Sequence, residues 1–223
     1  MSFAKVIHGS SLEALKGMDS ESFDLILSDP PYMEYKTSHR KDKQDKLSTA
    51  IIYQDRQDQL ETISECMRVL KNDHAFFLCT NWQNIWWMQQ RFESFMRNMI
   101  VWDKGNWTAG DLKGSFGNKH EIIFLLTKGK GWTYKDKREN DIWEIARAGT
   151  DRIHPTEKPV ALYRKMIENS TNEGDLIFDP YGGSGSSAQA ALELNRNILV
   201  YELDEEYCRR IQKRIDNWNK REN

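Results

Sequence analysis

Short apolar runs bounded by turn residues alternate along this chain with longer stretches whose apolar positions recur at helical spacing. That alternation constrains the fold more than any other feature, because it is the pattern of an α/β protein. Strand-length runs fall at 4–8, 23–28, 75–80, 98–103, 121–127, 175–179 and 197–201, and helix-length stretches at 11–16, 53–70, 83–95, 159–170, 186–194 and 205–221. The stretch 53–70 carries Leu60, Ile63, Met67 and Leu70 on one helical face, which suits packing on a sheet. At 223 residues the chain is expected to form one domain around a sizeable core. Two less structured excursions, at about 33–50 and 103–140, interrupt the pattern.

Composition excludes several classes. With 39% hydrophobic residues, and 32 Lys plus Arg against 34 Asp plus Glu, the chain is neither a disordered tail, a collagen-like strand nor a histone-like binder. Its longest wholly apolar stretches, 75–79 and 122–126, are too short to span a bilayer, so no membrane partner is expected. Residues 1–5 lack the pattern of a signal peptide, and Cys66, Cys79 and Cys208 are too scattered for a disulfide framework or a metal cluster. A reduced, cytoplasmic protein without a metal is the expectation. Charge is nevertheless uneven. Residues 33–46 carry five basic side chains against three acidic, and 103–138 carry eight against four. Such segments either neutralise phosphates or are simply solvated loops. Trp82, Trp86 and Trp87 share one helical stretch and are expected to pack, whereas Trp102 and Trp107 flank the Lys104-Gly105 turn and fit packing or stacking equally. His74 and His120 belong to no constellation and read as structural.

Two motifs carry chemistry. Ser28-Asp29-Pro30-Pro31-Tyr32 directly follows an apolar run, which places an acid at a strand's carboxyl end, where open α/β sheets build their sites. The prolines fix an extended backbone and remove two N–H donors. Asp29 and the Pro30 carbonyl can then accept both hydrogens of an amino group, with Tyr32 offering a flat face to a planar ring. The same residues also suit a rigid turn ending a strand. The second motif, Asp179-Pro180-Tyr181-Gly182-Gly183-Ser184-Gly185-Ser186, follows a strand and opens an Ala-rich helix, and the next strand ends in Glu202, followed by Leu203. An acid about 20 residues past a glycine loop is placed to grip ribose hydroxyls. The loop lacks the Gly-Lys-Ser/Thr of a P-loop and a clean Gly-x-Gly-x-x-Gly, so a nucleoside without pyrophosphate fits it better than NAD or ATP.

At these residues the chain resembles the beta class of amino-group DNA methyltransferases. Asp29-Pro30-Pro31-Tyr32 matches that family's catalytic motif, Asp179 to Ser186 its cofactor loop, and His154-Pro155-Thr156-Glu157-Lys158-Pro159 its His-Pro-Thr-x-Lys-Pro segment. The resemblance runs from Ile7 to about Ile215, in the permuted order with the catalytic motif first. It implies a Rossmann-like methyltransferase domain with a mixed, mostly parallel seven-stranded sheet flanked by helices. It also implies S-adenosylmethionine as cofactor, S-adenosylhomocysteine as product, and double-stranded DNA as substrate. The cofactor site carried over comprises Ser10, Ser11, Asp29, His154, Thr156, Lys158, Asp179, Pro180, Tyr181, Gly182, Gly183, Ser184, Gly185, Ser186, Glu202 and Leu203. In it Lys158 and Thr156 reach the methionine carboxylate, and His154 is either a helper or a turn residue. Ser10 stands where the family often has an acid on the adenine ring, Tyr181 replaces a common Phe, and Ser186-Ser187 replace Thr-Thr.

In such an enzyme Asp29, Pro30, Pro31 and Tyr32 form the catalytic group, acting on a base flipped from the duplex. The family's cytosine-N4 enzymes usually carry Ser where this chain has Asp29, so the resemblance favours adenine-N6. Cytosine-N4 transfer and a non-catalytic DNA-binding member are the alternatives. Lys36, Arg40, Lys41, Lys104, Lys113 and Lys119 are the DNA-contacting candidates. The family includes monomers and dimers, so a homodimer is also compatible.

Overall fold

The computed structural model describes residues 2–31, 56–107, 113–149, 152–154 and 156–222. In chain order its elements are β1 (Ala4–His8), α1 (Ser11–Lys16), β2 (Phe23–Ser28), α2 (Arg56–Val69), β3 (Leu70–Thr80), α3 (Ile85–Phe92) with a 3-10 turn (Glu93–Phe95), β4 (Met96–Asp103), β5 (His120–Lys128), β6 (Ile142–Glu144), α4 (Val160–Glu168), β7 (Leu176–Asp179), α5 (Ser186–Glu193), β8 (Asn197–Glu202) and α6 (Glu205–Glu222). The eight strands form one sheet in the order β1-β8-β7-β2-β3-β5-β4-β6. Pairing is antiparallel on both sides of β5 and parallel elsewhere. The α/β class, the seven expected strands and the mostly parallel mixed sheet are all present.

The sheet has eight strands where seven were expected. The addition, β6, is a three-residue edge strand whose register with Val101, Trp102 and Asp103 comes from β4. Three residues are too few to show a period of two in sequence. Strand β3 also starts at Leu70 instead of residue 75, directly where α2 ends. The intervening Lys71-Asn72-Asp73-His74 is polar and reads as a loop, but Lys71 Nζ reaches Asp24 Oδ1 at 2.6 Å and Leu70 pairs with Phe23.

Strand β2 is buried at all six positions because helices cover both faces of the sheet. Leu25 and Leu27 point with Phe77 and Leu125 toward α4, α5 and α6, meeting Leu162, Met166, Ala188 and Ile211. Phe23 and Ile26 point with Phe76 and Phe124 toward α1, α2 and α3, meeting Leu15, Ile63, Met67 and Met88. Over Leu25-Ile26-Leu27 the strand period of two thus splits one apolar run between two cores, and the irregularity in register between Phe23 and Leu25 leaves Phe23 on the side of Ile26.

The tryptophans correct an expectation. Met88 and Phe92 are the buried positions of α3, while Trp82 and Trp86 are 60% and 77% exposed. Trp87 is half-buried and donates its indole N–H to Asn84. Trp102 is buried with its N–H on the Ile145 carbonyl at 2.7 Å, whereas Trp107 is exposed. A window of three tryptophans says nothing about which side of the helix meets the sheet. Among the described residues no helix is long and apolar enough to cross a membrane.

Candidate active site

Strands β2 and β7 are parallel neighbours at the middle of the sheet. From β2 the chain proceeds through α2 to β3 on one side, and from β7 through α5 to β8 on the other. Where strand order reverses in this way, a crevice opens at the carboxyl ends. Asp29 follows β2, Asp179 ends β7, Glu202 ends β8, and Gly9 follows β1. Topology therefore brings both motifs to one edge of the sheet.

On the β7 side the loop is held by its own backbone. The buried Asp179 carboxylate accepts the Tyr181 N–H at 2.9 Å and the Ser187 hydroxyl. Burial pushes its pKa up to about 7 against those hydrogen bonds. The Gly182 N–H donates to the Tyr201 carbonyl at 2.8 Å, Gly185 N–H to the Gly182 carbonyl at 2.8 Å, and Gly183 N–H to Glu202 Oε2 at 2.7 Å. Glu202 Oε1 accepts the Asp204 N–H at 2.9 Å, and the Gly9 N–H reaches the Glu202 carbonyl at 2.9 Å. Burial raises the Glu202 pKa, while these N–H groups oppose the shift. A Cβ on Gly182 would come within 2.6 Å of Val200 Cγ1, so the loop lies flat on β8. Gly9 faces open space instead, and a Cβ on Gly183, at φ 52°, would meet only the Tyr181 carbonyl at 4.0 Å. Because four consecutive-region N–H groups are answered internally, the loop is not a phosphate cradle. It fits the flat, uncharged body of a nucleoside.

The flanking residues are mainly structural. Pro180 is buried, Tyr181 half-buried and Leu203 exposed, with the Leu203 carbonyl 3.1 Å from His8 Nε2. The hydroxyls of Ser184 and Ser186 lie 3.0 Å apart. Arg214 Nη1 donates to the Ser184 carbonyl at 2.9 Å and pairs with Glu157 at 3.2 Å. Ser10 caps α1 through the Glu13 N–H, and Ser11 is buried in its first turn. His154 Nδ1 accepts the Thr156 N–H at 3.2 Å and its ring packs on Tyr207. Burial, with Lys158 and Arg210 nearby, pushes its pKa down to about 4, so it is a neutral turn residue.

On the β2 side the structure supplies what the sequence did not show. Lys158 Nζ lies 2.7 Å from Asp29 Oδ2 and 3.2 Å from Glu121 Oε2, and Lys104 Nζ lies 3.2 Å from Glu121 Oε1. Burial disfavours the Lys158 charge, but Asp29 and Glu121 outweigh it and raise its pKa. Lys158 was expected to reach a carboxylate of the cofactor; among the described residues it meets two carboxylates of the protein, Asp29 and Glu121. Gln59, buried on α2, donates to the Pro31 carbonyl at 2.6 Å and steadies the proline pair. Glu121 and Gln59 were not foreseen; a Glu opening a strand and a Gln in a helix have no local signal.

Lys104 is buried, unlike the other described basic candidates. It was placed with the DNA-contacting lysines, but its side chain is 9% exposed and paired with Glu121. Lys113 and Lys119 are exposed, Lys119 with Asp103 Oδ2 at 2.7 Å. Tyr32, Lys36, Arg40 and Lys41 lie outside the described residues. Among the described residues no group of three His, Cys, Asp or Glu side chains is placed to hold a metal.

The profile of the DNA methylase family, the N6/N4 methyltransferases, matches residues 23–213. The chain belongs to that family. Two relatives of this DNA methylase are the Type II methyltransferase M.HinfI of Haemophilus influenzae and the DNA adenine methyltransferase YhdJ of Escherichia coli strain K12. The first is 28% identical over 244 residues, 94% of this chain and 67% of M.HinfI. The second is 27% identical over 247 residues, 95% of this chain and 82% of YhdJ. The fold is shared with the M1.HpyAVI-SAM complex, at TM-score 0.71 and 23% identity over 95% of this chain and 100% of that one. It is shared also with the cytosine-N4-specific PvuII DNA methyltransferase, at TM-score 0.75 and 16% identity over 97% and 91% of the two chains.

Proposed function

We propose that this DNA methylase transfers a methyl group from S-adenosylmethionine to the exocyclic N6 of adenine in double-stranded DNA, with the base turned out of the helix. The observation that carries the reading is Asp29, an acid at the carboxyl end of β2 tied to Lys158, followed by Pro30 and Pro31 and set across the crevice from the loop that closes onto Glu202.

The residues on the β7 side suit the cofactor. Gly9 and Gly183 leave space at the backbone where a nucleoside would lie, and the anchored Glu202 carboxylate is the acceptor for its ribose hydroxyls. Thr156 is assigned to its methionine end. When bound, S-adenosylmethionine supplies a methyl group on a positively charged sulfur, leaving S-adenosylhomocysteine after transfer.

The target amine is a poor nucleophile, since its lone pair is delocalised into the ring. Asp29 and the Pro30 carbonyl accept its two N–H groups, and this orients the lone pair for in-line attack. Positive charge then develops on nitrogen beside a fixed carboxylate, and one amine proton leaves to solvent once the N–CH3 bond has formed and the S–CH3 bond has broken. Tyr32 is assigned the face of the flipped base. Lys113 and Lys119 are assigned to phosphates. Adenine is favoured because an acid, not a serine, precedes Pro30, and the name of YhdJ points the same way.

The test is transfer of labelled methyl from S-adenosylmethionine to unmethylated duplex DNA by wild type and Asp29→Ala, with nucleosides identified after digestion. N6-methyladenine from wild type alone is expected. N4-methylcytosine would overturn the base assignment. Binding of the cofactor without methylation of DNA would overturn the substrate.

A further inference from the structure

Four charged side chains alternate in sign along a half-buried line at the carboxyl edge: Asp29, Lys158, Glu121 and Lys104. Consecutive separations are 2.7, 3.2 and 3.2 Å, and side-chain exposures are 15%, 5%, 19% and 9%. They come from four places in the chain, namely the ends of β2 and β4, the start of β5, and the segment before α4. Glu121 lies at the centre. Its two oxygens face two different ammonium groups, Oε2 toward Lys158 and Oε1 toward Lys104.

Building on the methyl-transfer reading, we propose that Glu121 is a positioning residue of that reaction, holding Lys158 where it fixes the Asp29 carboxylate for the target amine. An ammonium held by one carboxylate pivots about that contact, and one held by two is fixed in place. Lys158 is held by two. A carboxylate tied through one oxygen by a fixed cation keeps one orientation among many, which an acceptor needs when it must align an N–H on a defined line. Misplacement of such a group by about 1 Å costs about 100-fold in rate. Lys104 adds a second cation to match the two carboxylates, so the line carries no net charge and none of its members is buried against an unopposed neighbour. The arrangement also ties β4 and β5, which flank the exposed Lys113 and Lys119, to the catalytic acid.

The experiment uses the full chain, S-adenosylmethionine, and genomic DNA from a strain lacking adenine methylation. It measures the single-turnover rate of methyl transfer per cofactor-binding site, the cofactor Kd, and the melting temperature. Glu121→Gln is expected to slow transfer at least 10-fold while the cofactor Kd stays within twofold. Glu121→Asp retains the charge but draws it back by one methylene. It is expected to fold where Gln fails, and to slow transfer by a smaller factor at unchanged Kd. In a double-mutant cycle Glu121→Gln adds nothing to Lys158→Gln, because Glu121 acts through Lys158. An unchanged rate per binding site, additive losses in the cycle, or a cofactor Kd that weakens in step with rate would each overturn the proposal. Wild-type protein that methylates no DNA would remove the functional reading itself, and this inference with it.

Discussion

Lys158 Nζ meets Asp29 Oδ2 at 2.7 Å, across 129 residues of sequence, and the same ammonium faces Glu121. Each partner is desolvated, so the pair is stable only while both charges are present. Lys158→Met would leave two carboxylates facing each other at the carboxyl edge. It is expected to lower unfolding stability by about 3–5 kcal/mol, the usual cost of breaking a buried pair from one side. Urea denaturation at pH 7.0 checks this, and an unchanged midpoint would show that the pair is not structurally coupled.

The glycine loop should tolerate side chains unequally. Gly182→Ala places a Cβ 2.6 Å from Val200 Cγ1 and 3.2 Å from the Tyr201 carbonyl, and is expected to cost about 1–3 kcal/mol. Gly183→Ala meets only the Tyr181 carbonyl, at an ordinary 4.0 Å, but must hold φ 52°, a penalty of about 1 kcal/mol. Thermal unfolding of the two variants should rank them in that order.

A buried and a half-buried group give opposite dependences of stability on pH. Asp179, raised from 3.8 to about 7 by burial, holds its proton more tightly folded than unfolded. Its contribution is complete below pH 3.8 and is lost as pH rises toward 7. His154, lowered from 6.5 to about 4 by burial, contributes above pH 6.5 and loses its contribution as pH falls toward 4. Asp179→Asn can keep both hydrogen bonds, accepting from Tyr181 and donating to Ser187. Relative to wild type it should gain stability from pH 4 to 7 and level off above. His154→Gln should gain as pH falls through that range. Melting curves parallel to wild type at every pH would contradict both.

The lysines of the β4–β5 region should separate on DNA. Neutralising Lys113 or Lys119 is expected to reduce the salt dependence of DNA affinity by about one counterion each. Lys104→Met should leave that slope unchanged and lower stability, because its ammonium belongs to Glu121. Binding isotherms at several salt concentrations read the difference.

Trp86 and Trp102 should differ as surface and core do. Trp86→Ala is expected to change stability by no more than about 0.5 kcal/mol, and Trp102→Ala to cost about 3–5 kcal/mol. Denaturant midpoints suffice to compare them.

Strands could be read locally because burial on both faces demands unbroken apolar runs, as at Leu25-Ile26-Leu27 and Ile122 to Leu126. The two acid-proline motifs were legible for a related reason. A rigid turn and a glycine loop must follow their strands directly, so residue type and chemistry sit together in the sequence. Exposure of Trp82 and Trp86 was not legible, because it depends on which face α3 turns to the sheet. The edge strand β6 is too short to show a pattern.

Sequence alone determined which segments become strands and helices, the two loops that carry chemistry, and the acids Asp29, Asp179 and Glu202 at strand ends. These are properties of neighbouring residues: apolar period, proline stiffness and glycine freedom. Only the tertiary structure decided that the first strand lies beside the last, and that Lys158 and Lys104 both face Glu121. Ion pairs are set by distance in space, and a charge leaves no mark in its own sequence neighbourhood of which distant charge will face it.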